Sequence, residues 1–116
     1  MKIVIVGAGE VGSHLSETLS LDDHDVTVIE RDPERAQTIH EQLDVRVISE
    51  NGSSARTLRR AGVENCDFFL AMTSRDETNL VSSSLAKALG ARATFARVHD
   101  ATFRDNSVIN HQCHFG

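Results

Sequence analysis

The sequence contains no tryptophan or tyrosine, one proline and two cysteines, Cys66 and Cys113, among its 116 residues. So little proline, with seven glycines in no regular repeat, excludes a collagen-like chain. Hydrophobic residues make up 40% of the sequence, which is too many for a disordered chain. Two cysteines without C-x-x-C spacing exclude a disulfide scaffold and are typical of a reduced, cytoplasmic protein.

An excess of basic residues is also absent. Twelve lysines and arginines stand against seventeen aspartates and glutamates, giving a formal net charge of -5. Because no positive field draws in a polyanion, we expect no nucleic-acid partner, although a local site can still bind a small anion. The first apolar stretch, residues 3–9, is too short for a membrane helix or a signal peptide. We therefore expect one soluble domain.

Strand and helix patterns alternate along the chain. Short apolar runs at residues 3–6, 26–29, 45–48, 68–72 and 94–98 predict five strands. Helical patterns at residues 10–20, 33–42, 54–60 and 76–89 lie between them. The alternation predicts an α/β fold, a Rossmann-like, doubly wound parallel sheet in a single three-layer domain.

Five helix ends and one buried helix face are also predicted. Asp32 before Pro33 is typical of a helix start, and Ser53 or Ser54 can cap the third helix. Gly62 and Gly90 stand where helices end. Ser74 and Glu77 fit a capping box, and the buried stripe of the helix that follows is predicted to be Leu80, Val81, Leu85, Ala88 and Leu89.

The most informative motif follows the first strand and opens the first helix. Gly7, Ala8, Gly9, Glu10, Val11 and Gly12 spell G-x-G-x-x-G. In this context the first glycine permits a tight turn, the second lets a pyrophosphate approach the backbone, and the third lets helix and strand pack closely. The phosphates would rest on amides at the positive end of the helix dipole. A tight turn that binds no ligand is the alternative.

An acidic residue ends the second predicted strand at the spacing expected of a nucleotide site. Glu30 lies 18 residues beyond Gly12, near the distance at which a carboxylate accepts the adenosine ribose hydroxyls. Its charge repels a 2′-phosphate and favours NAD(H) or an adenine nucleotide over NADP(H). Arg31 weakens this preference because a guanidinium can receive that phosphate. A solvated cluster of Glu30, Arg31 and Asp32 is the alternative.

Polar residues follow the remaining strands at the edge where ligands of open α/β sheets bind. Thr73 and Ser74 follow the fourth strand, and both could serve only to cap a helix. Arg97 near the end of the fifth strand is interpreted as a phosphate contact rather than a plain surface cation. The third strand is followed by three further candidates, Asn51, Gly52 and Ser53, although Asn-Gly is also a hairpin turn.

Several other chemistries are not favoured. His111, Cys113 and His114 crowd within four residues, and no second ligand pair is visible to complete a zinc site. No phosphate-binding G-x4-G-K-[ST] loop occurs, and neither does a G-x-S-x-G nucleophile elbow. We therefore expect no metal and no hydrolase machinery.

These segments together resemble one family, the N-terminal TrkA domain, also called the KTN or RCK domain, of Trk-type potassium-uptake regulators. The resemblance rests on MKIVIVGAGEVGSHLSETL, VTVIERDPERA, the NGSS loop, LRRAGVENCDFFLAMTSRDETN and ARVHD, in this order. It implies a cytoplasmic subunit, peripheral on the inner face of the plasma membrane, which binds NAD(H) and also ADP or ATP. It implies as partners a membrane-embedded potassium transporter subunit and further copies of the chain, as a homodimer or ring-like homo-oligomer.

The resemblance also implies roles for particular residues. The pyrophosphate would lie on residues 7–11, the ribose on Glu30, and the phosphates near Arg97, with Thr73 and Ser74 lining the crevice. Three positions depart from the family pattern: Glu30 is often Asp, Glu50 is frequently Gly, and His99 is commonly a basic residue. Residues 1–99 would form the nucleotide-binding lobe, and residues 100–116 a tail that leads toward a further lobe.

Three functions are compatible with the sequence. A regulatory module that binds nucleotide without turning it over is the leading hypothesis, because hydride transfer needs a second substrate and a proton donor near the nicotinamide. The alternative is the N-terminal cofactor-binding fragment of an NAD-dependent dehydrogenase, for which His99 is the nearest candidate acid or base. A structural oligomerisation domain with a vestigial cleft is disfavoured, since polar groups still converge on the crevice.

Overall fold

A computed structural model of the chain describes residues 1–99, and the predicted tail with His111, Cys113 and His114 lies outside the described residues. It contains the predicted five strands and four helices, joined by one additional 3-10 turn at Val63–Asn65. No helix in this part of the chain is long and apolar enough to cross a membrane. In chain order the elements are β1 Lys2–Val6, α1 Glu10–Leu21, β2 Asp25–Ile29, α2 Pro33–Gln42, β3 Arg46–Ile48, α3 Ala55–Arg60, β4 Phe68–Ala71, α4 Asp76–Leu89 and β5 Ala93–Ala96.

All five strands form one parallel sheet in the order β3-β2-β1-β4-β5. In this register Val4 of the central strand pairs with Thr27 on one side and Phe69 on the other. The chain runs outward from β1 to β3 and then returns to β4, so the direction of winding reverses between β1 and β4. The predicted doubly wound, Rossmann-like fold is confirmed, and this reversal marks where such sheets bind ligands.

Alternating side chains of β1 supply both faces of the sheet. Ile3 and Ile5 belong to one buried cluster, which includes Ile39 of α2 and has Leu15 and Leu19 of α1 packed against it. Val4 and Val6 belong to a second cluster with Leu58 of α3 and Ala86 of α4. Because helices cover both faces, Ile3, Val4, Ile5 and Val6 of β1 are all buried, as expected of the central strand of a three-layer domain.

Three of the predicted helix ends are confirmed. The Asp32 carboxylate accepts a hydrogen bond from the Glu34 amide at 3.1 Å, with Pro33 at the first helical position. Gly62 and Gly90 follow α3 and α4 with φ of 84° and 119°, the left-handed region that glycine enters without a steric penalty. Ser54 occupies the position before α3, but its side chain makes no capping hydrogen bond.

The predicted capping box at Ser74 is wrong. The residue that precedes α4 is Arg75, and no side chain caps this helix. The Thr73 hydroxyl lies 3.2 Å from both the Arg75 amide, from which it can accept, and the Arg75 carbonyl oxygen. The side chain that hydrogen-bonds the backbone of this loop is therefore Thr73, one residue before the Ser74 that the S-x-x-E pattern predicts.

The predicted buried stripe of α4 is confirmed only in part, at Leu85 and Leu89, which pack against the buried cluster that contains Val4 and Val6. Val81 is 47% exposed and Ala88 is exposed, whereas Leu80, Leu85 and Leu89 are only partly buried. The face against the sheet carries mostly small or polar residues, because these let the helix axis lie close to the strands. They are Asp76, Asn79, Ser82, Ser83 and Ala86.

Cys66 is buried, with 2% of its surface exposed. Burial disfavours the thiolate and raises the pKa of the Cys66 thiol to about 11. This cysteine therefore remains protonated at physiological pH and acts as a small apolar residue.

Two glycines of the motif are required by close backbone contacts. Gly7 has φ of 104°, and a side chain there would begin 3.0 Å from the backbone of Met72 and Thr73 after β4. A Cβ at Gly12 would lie 1.8 Å from the carbonyl oxygen of Gly7. The start of α1 thus packs directly on the end of β1, which is the close helix–strand contact predicted for Gly12.

We expect Gly12→Ala to destabilise the domain by about 3 kcal/mol, because the overlapping atom belongs to the backbone and cannot move aside. Gly9→Ala is the matched control in the same motif, since its Cβ would meet nothing closer than the Arg35 guanidinium at 3.9 Å. Urea unfolding monitored by circular dichroism measures both variants. Equal stability of the two variants would contradict this packing argument.

Candidate functional site

A cleft of about 640 Å³ opens at the carboxyl end of the sheet, where β1, β2, β3, β4 and β5 pass into their loops. Both halves of the doubly wound sheet contribute to it. Its walls carry backbone from the glycine-rich turn together with polar side chains from the other loops. The lining residues are Val6, Gly7, Gly9, Glu10, Val11, Ile29, Glu30, Arg31, Asp32, Arg35, Glu50, Asn51, Gly52, Met72, Thr73, Ser74, Arg75, Thr78 and Arg97.

Most of the residues predicted from the sequence lie together in this cleft. Three do not line it, Ala8, Gly12 and Ser53. Ala8 and Gly12 are buried beneath the turn, and the Ser53 amide donates to the Asn51 side chain at 2.9 Å in a local turn. The eleven that line the cleft are Gly7, Gly9, Glu10, Val11, Glu30, Arg31, Asn51, Gly52, Thr73, Ser74 and Arg97.

The start of α1 faces the cleft. Gly9 precedes the helix, and the Gly9 carbonyl accepts from the Ser13 amide at 2.9 Å as the first helical bond. The amides of Glu10, Val11 and Gly12 in the first turn have no acceptor within the helix. Backbone donors and the positive end of the helix dipole therefore meet at one wall of the cleft, an arrangement suited to an anion.

Glu30 connects the loops after β1 and β2. Its side chain is buried, and Oε1 accepts a hydrogen bond from the Ala8 amide at 2.6 Å. Oε2 accepts from the Asp32 amide at 2.8 Å. The carboxylate thus lies on the cleft floor with both oxygens already bonded to backbone.

Asn79 of α4 makes the corresponding connection between the loops after β4 and β5. It is fully buried, and its Oδ1 accepts from the Thr73 amide at 2.9 Å and from the Thr73 hydroxyl at 2.6 Å. Its Nδ2 donates to the carbonyls of Thr73 at 3.0 Å and Arg97 at 2.8 Å. All donors and acceptors of the amide are used, so Thr73 and Arg97 are held at fixed positions beside the cleft.

His99 is bonded to the start of α4. Its amide and its Nδ1 both lie 2.9 Å from Asp76 Oδ1, and Asp76 is itself almost fully buried. His99 does not line the cleft. The nearest sequence candidate for a catalytic acid or base is therefore used to anchor the chain beyond β5.

Glu50 lies at the rim of the cleft after β3. Its Oε2 accepts from the Thr57 hydroxyl at 2.9 Å, and its Oε1 pairs with the Arg60 guanidinium. The Thr57 hydrogen bond, followed by that of Arg60 and the charges of Arg60 and Arg56, lowers the pKa of the Glu50 carboxyl. Glu50 is therefore ionised at neutral pH and adds negative charge beside Asn51 and Gly52.

Positive charge is concentrated on the opposite side of the cleft. Arg75 and Arg97 line the half formed by the loops after β4 and β5, where no lining residue is acidic. Among residues 1–99 the recorded ion pairs include none to either arginine. Because a guanidinium without a carboxylate partner is available to an anion, this half of the cleft favours negatively charged or neutral ligand groups.

Sequence reasoning missed four polar contributors, Arg35, Arg75, Thr78 and Asn79. Arg35 comes from the first turn of α2, where its Nε lies 3.8 Å from Asp32. The other three belong to TSRDETN, the motif that carries much of the family resemblance. The signal was therefore present, but helix periodicity assigned the buried face of α4 to its leucines instead.

Comparison with known proteins supports one family. The family model described as the TrkA-N domain matches residues 3–108. A "Trk system potassium uptake protein TrkA homolog" from Archaeoglobus fulgidus is 45% identical over 109 residues, which cover 94% of this chain. The chain spans only 24% of that relative's length.

Two solved structures have the same fold. The TrkA-N domain of inner membrane protein ybaL from Escherichia coli matches with a TM-score of 0.85 and 22% identity, covering 98% of this chain and 84% of that one. The GsuK channel bound to NAD matches with a TM-score of 0.79 and 19% identity, covering 93% of this chain and 20% of that one. At these identities the likeness shows the fold alone.

We expect Asn79→Leu to destabilise the domain by about 3 kcal/mol, since a side chain of similar shape would leave the partly buried groups of Thr73 and Arg97 without this partner. Asn65→Leu, at an exposed position in the 3-10 turn, is the control and should change stability by less than about 0.5 kcal/mol. Chemical denaturation of both variants measures this difference. Similar stabilities would show that the hydrogen bonds of Asn79 are dispensable.

Proposed function

The chain belongs to the TrkA-N domain family, and from this membership we propose that it is the nucleotide-binding, ligand-sensing domain of a Trk-type potassium transporter. The domain would bind NAD(H), with ADP and ATP as further candidate ligands, and would control potassium flux without chemical turnover. The observation that carries the proposal is the cleft itself, in which the first turn of α1, Glu30 and Arg97 face one space.

The sheet order gives the direction in which a dinucleotide would lie. Its diphosphate would rest on the first-turn amides of α1, at the point where the winding reverses. The adenosine would extend over β2 and β3, toward Glu30 and Glu50, and the second nucleoside over β4 and β5. This placement supports NAD(H) because both halves of the cleft present polar groups. The NAD-bound state of the GsuK channel, a protein of like fold, supports it further.

The same arrangement suits an adenine mononucleotide. The diphosphate of ADP would occupy the helix start, and the terminal phosphate of ATP would extend toward Arg75 and Arg97, neither of which takes part in the ion pairs found among residues 1–99. Glu30 supports NAD(H) over NADP(H), since its negative charge would repel a 2′-phosphate. Arg31 and Arg35 line the same cleft, and their positive charges would reduce that preference.

Regulation by such a domain requires only that nucleotide binds one assembly shape more tightly than another. A few kcal/mol of differential affinity reverses a modest conformational preference. We propose a cytoplasmic location on the inner face of the plasma membrane, where a homodimer or ring of these domains contacts a membrane-embedded transporter subunit. Residues 1–99 would be the nucleotide-binding lobe, and residues 100–116 would lead toward a further lobe.

A dehydrogenase fragment is the less favoured function. Its proton donor or acceptor would have to reach the second nucleoside, and His99 is instead bonded to Asp76 outside the cleft lining. Within residues 1–99 no group of three or more metal-ligating side chains occurs either. The alternatives differ in one measurable property, since an enzyme consumes the cofactor that a sensor only binds.

The decisive experiment is a thermal-shift titration with NAD+, NADH, ADP, ATP and NADPH, combined with a cofactor-turnover assay. A ligand at about 100 times its Kd adds roughly 2.7 kcal/mol to the free energy of unfolding, which raises Tm by several degrees in a domain of this size. We expect stabilisation by NADH and the adenine nucleotides, a smaller effect of NADPH, and no turnover. Absence of stabilisation by every ligand would refute the proposal.

We expect Arg97→Ala to weaken nucleotide binding about tenfold, because it removes a charge-assisted contact to phosphate while leaving the Arg97 carbonyl bonded to Asn79. Arg92→Ala is the matched control, since Arg92 is exposed and precedes β5, at the amino end of the strands and away from the cleft. Isothermal titration calorimetry measures both variants. Equal affinities for the two would remove Arg97 from the site.

A further inference from the structure

The hydrogen bonds of Glu30 indicate a role beyond contact with a sugar. Its exposed fraction is only 7%, and its two carboxylate oxygens are bonded to amides in two different loops. One of these amides belongs to Ala8, the second residue of the glycine-rich motif. The other belongs to Asp32, which caps α2 through the Glu34 amide.

These bonds change the set of amides available to a ligand. Because the Ala8 amide already donates to Glu30 at 2.6 Å, it is not a free donor for a diphosphate. The available backbone donors are those further along, in the first turn of α1. Glu30 itself retains acceptor capacity, since each carboxylate oxygen can accept two hydrogen bonds.

The Ala8 amide needs an acceptor because the residue is buried, and neighbouring groups of the same turn are hydrogen-bonded as well. Ala8 is 5% exposed, and its carbonyl accepts from the Ser13 hydroxyl at 2.7 Å. The Gly7 amide before it donates to the Ile29 carbonyl at 2.8 Å. Three hydrogen bonds therefore hold the turn between β1 and α1. Of these three, the bond to Glu30 is the one made by an acidic side chain.

We propose that Glu30 is a positioning residue for the glycine-rich turn: its carboxylate holds the Ala8 amide and so orients the first turn of α1 toward a diphosphate. The inference rests on the proposed nucleotide site and adds to it. If Glu30 acts only on the sugar, its removal affects only ligands with ribose hydroxyls. If it positions the turn, its removal affects every ligand that places a diphosphate there.

A cycle of two ligands and two variants separates these roles. ADP and 2′,3′-dideoxy-ADP differ only in the hydroxyls that a carboxylate would accept. Glu30→Gln keeps the shape of the side chain but replaces one carboxylate oxygen with an amide NH2 group. This group is a donor and cannot accept a hydrogen bond from a backbone amide. Glu17→Gln is the matched control, because it removes the same charge from an exposed residue of α1 that does not line the cleft.

We expect Glu30→Gln to weaken both ligands by a similar factor of about ten, as loss of a hydrogen bond to a charged group implies. Glu17→Gln should leave the affinity of either ligand within about threefold of the unmutated chain, as expected for an exposed charge outside the cleft. Calorimetric titration of the unmutated chain and both variants gives the six affinities. Weakened binding of ADP alone, with the dideoxy ligand unaffected, would overturn the positioning role.

Hydrogen exchange of the ligand-free chain tests the same bond without any nucleotide. In Glu30→Gln the Ala8 amide should exchange at least tenfold faster than in the unmutated chain, while the Val4 amide inside β1 keeps its rate. Glu30→Asp, which retains the charge on a shorter side chain, provides a second folded variant with the same expectation for Ala8. Unchanged exchange at Ala8 in a folded variant would overturn the inference.

The two measurements also distinguish failure of this inference from failure of the proposed function. If the unmutated chain binds neither ADP nor NADH, the nucleotide-sensing proposal fails, and the exchange rates alone decide whether Glu30 holds the turn. If the unmutated chain binds ADP but the Ala8 amide exchanges at the same rate in the variants, the nucleotide site is supported and the positioning role of Glu30 is refuted.

Discussion

At the carboxyl ends of the strands in a parallel sheet, backbone amides and carbonyls have no neighbouring strand to pair with. The organisation of this domain follows from which groups hydrogen-bond to them instead. Each strand passes into a loop at the same edge, where burial of an unpaired amide costs as much as a lost hydrogen bond. Here the partners are buried side chains: Glu30 for the loops after β1 and β2, and Asn79 for those after β4 and β5. Asp76 does the same for His99. Because each of these side chains bridges two segments, they fix the shape of the cleft as well as the stability of its loops.

Close backbone approach is the second constraint. Gly7 brings the first loop against the backbone after β4, and Gly12 brings α1 onto the end of β1. A Cβ at Gly52 would lie 2.5 Å from Val6, so the loop after β3 packs on the central strand as well. Three loops thereby converge on one strand end, and the space above them is the cleft. The same glycines that allow the fold therefore also leave backbone amides accessible to an anion.

Charge is distributed unevenly between the two halves of the cleft. Carboxylates of Glu30 and Glu50 lie in the half formed after β2 and β3, although Arg31 and Arg35 share that half. Arg75 and Arg97 lie in the other half, where the loops after β4 and β5 contribute no acidic residue to the lining. A net charge of -5 for the whole chain gives no indication of this division, since it arises from which loops meet rather than from composition.

The sequence by itself determined the element order, the doubly wound sheet, and eleven of the nineteen residues that line the cleft. These follow from local signals, because apolar runs, glycine spacing and the position of Asp32 before Pro33 act over a few residues. Only the tertiary structure decided that α4 turns Asn79, Ser82 and Ser83 toward the sheet, and that Thr73 rather than Ser74 organises the loop before it. It also decided that Glu30 bonds to Ala8 across 22 positions of sequence. Those choices depend on which donors and acceptors meet after the strands have paired, and no local pattern carries that information.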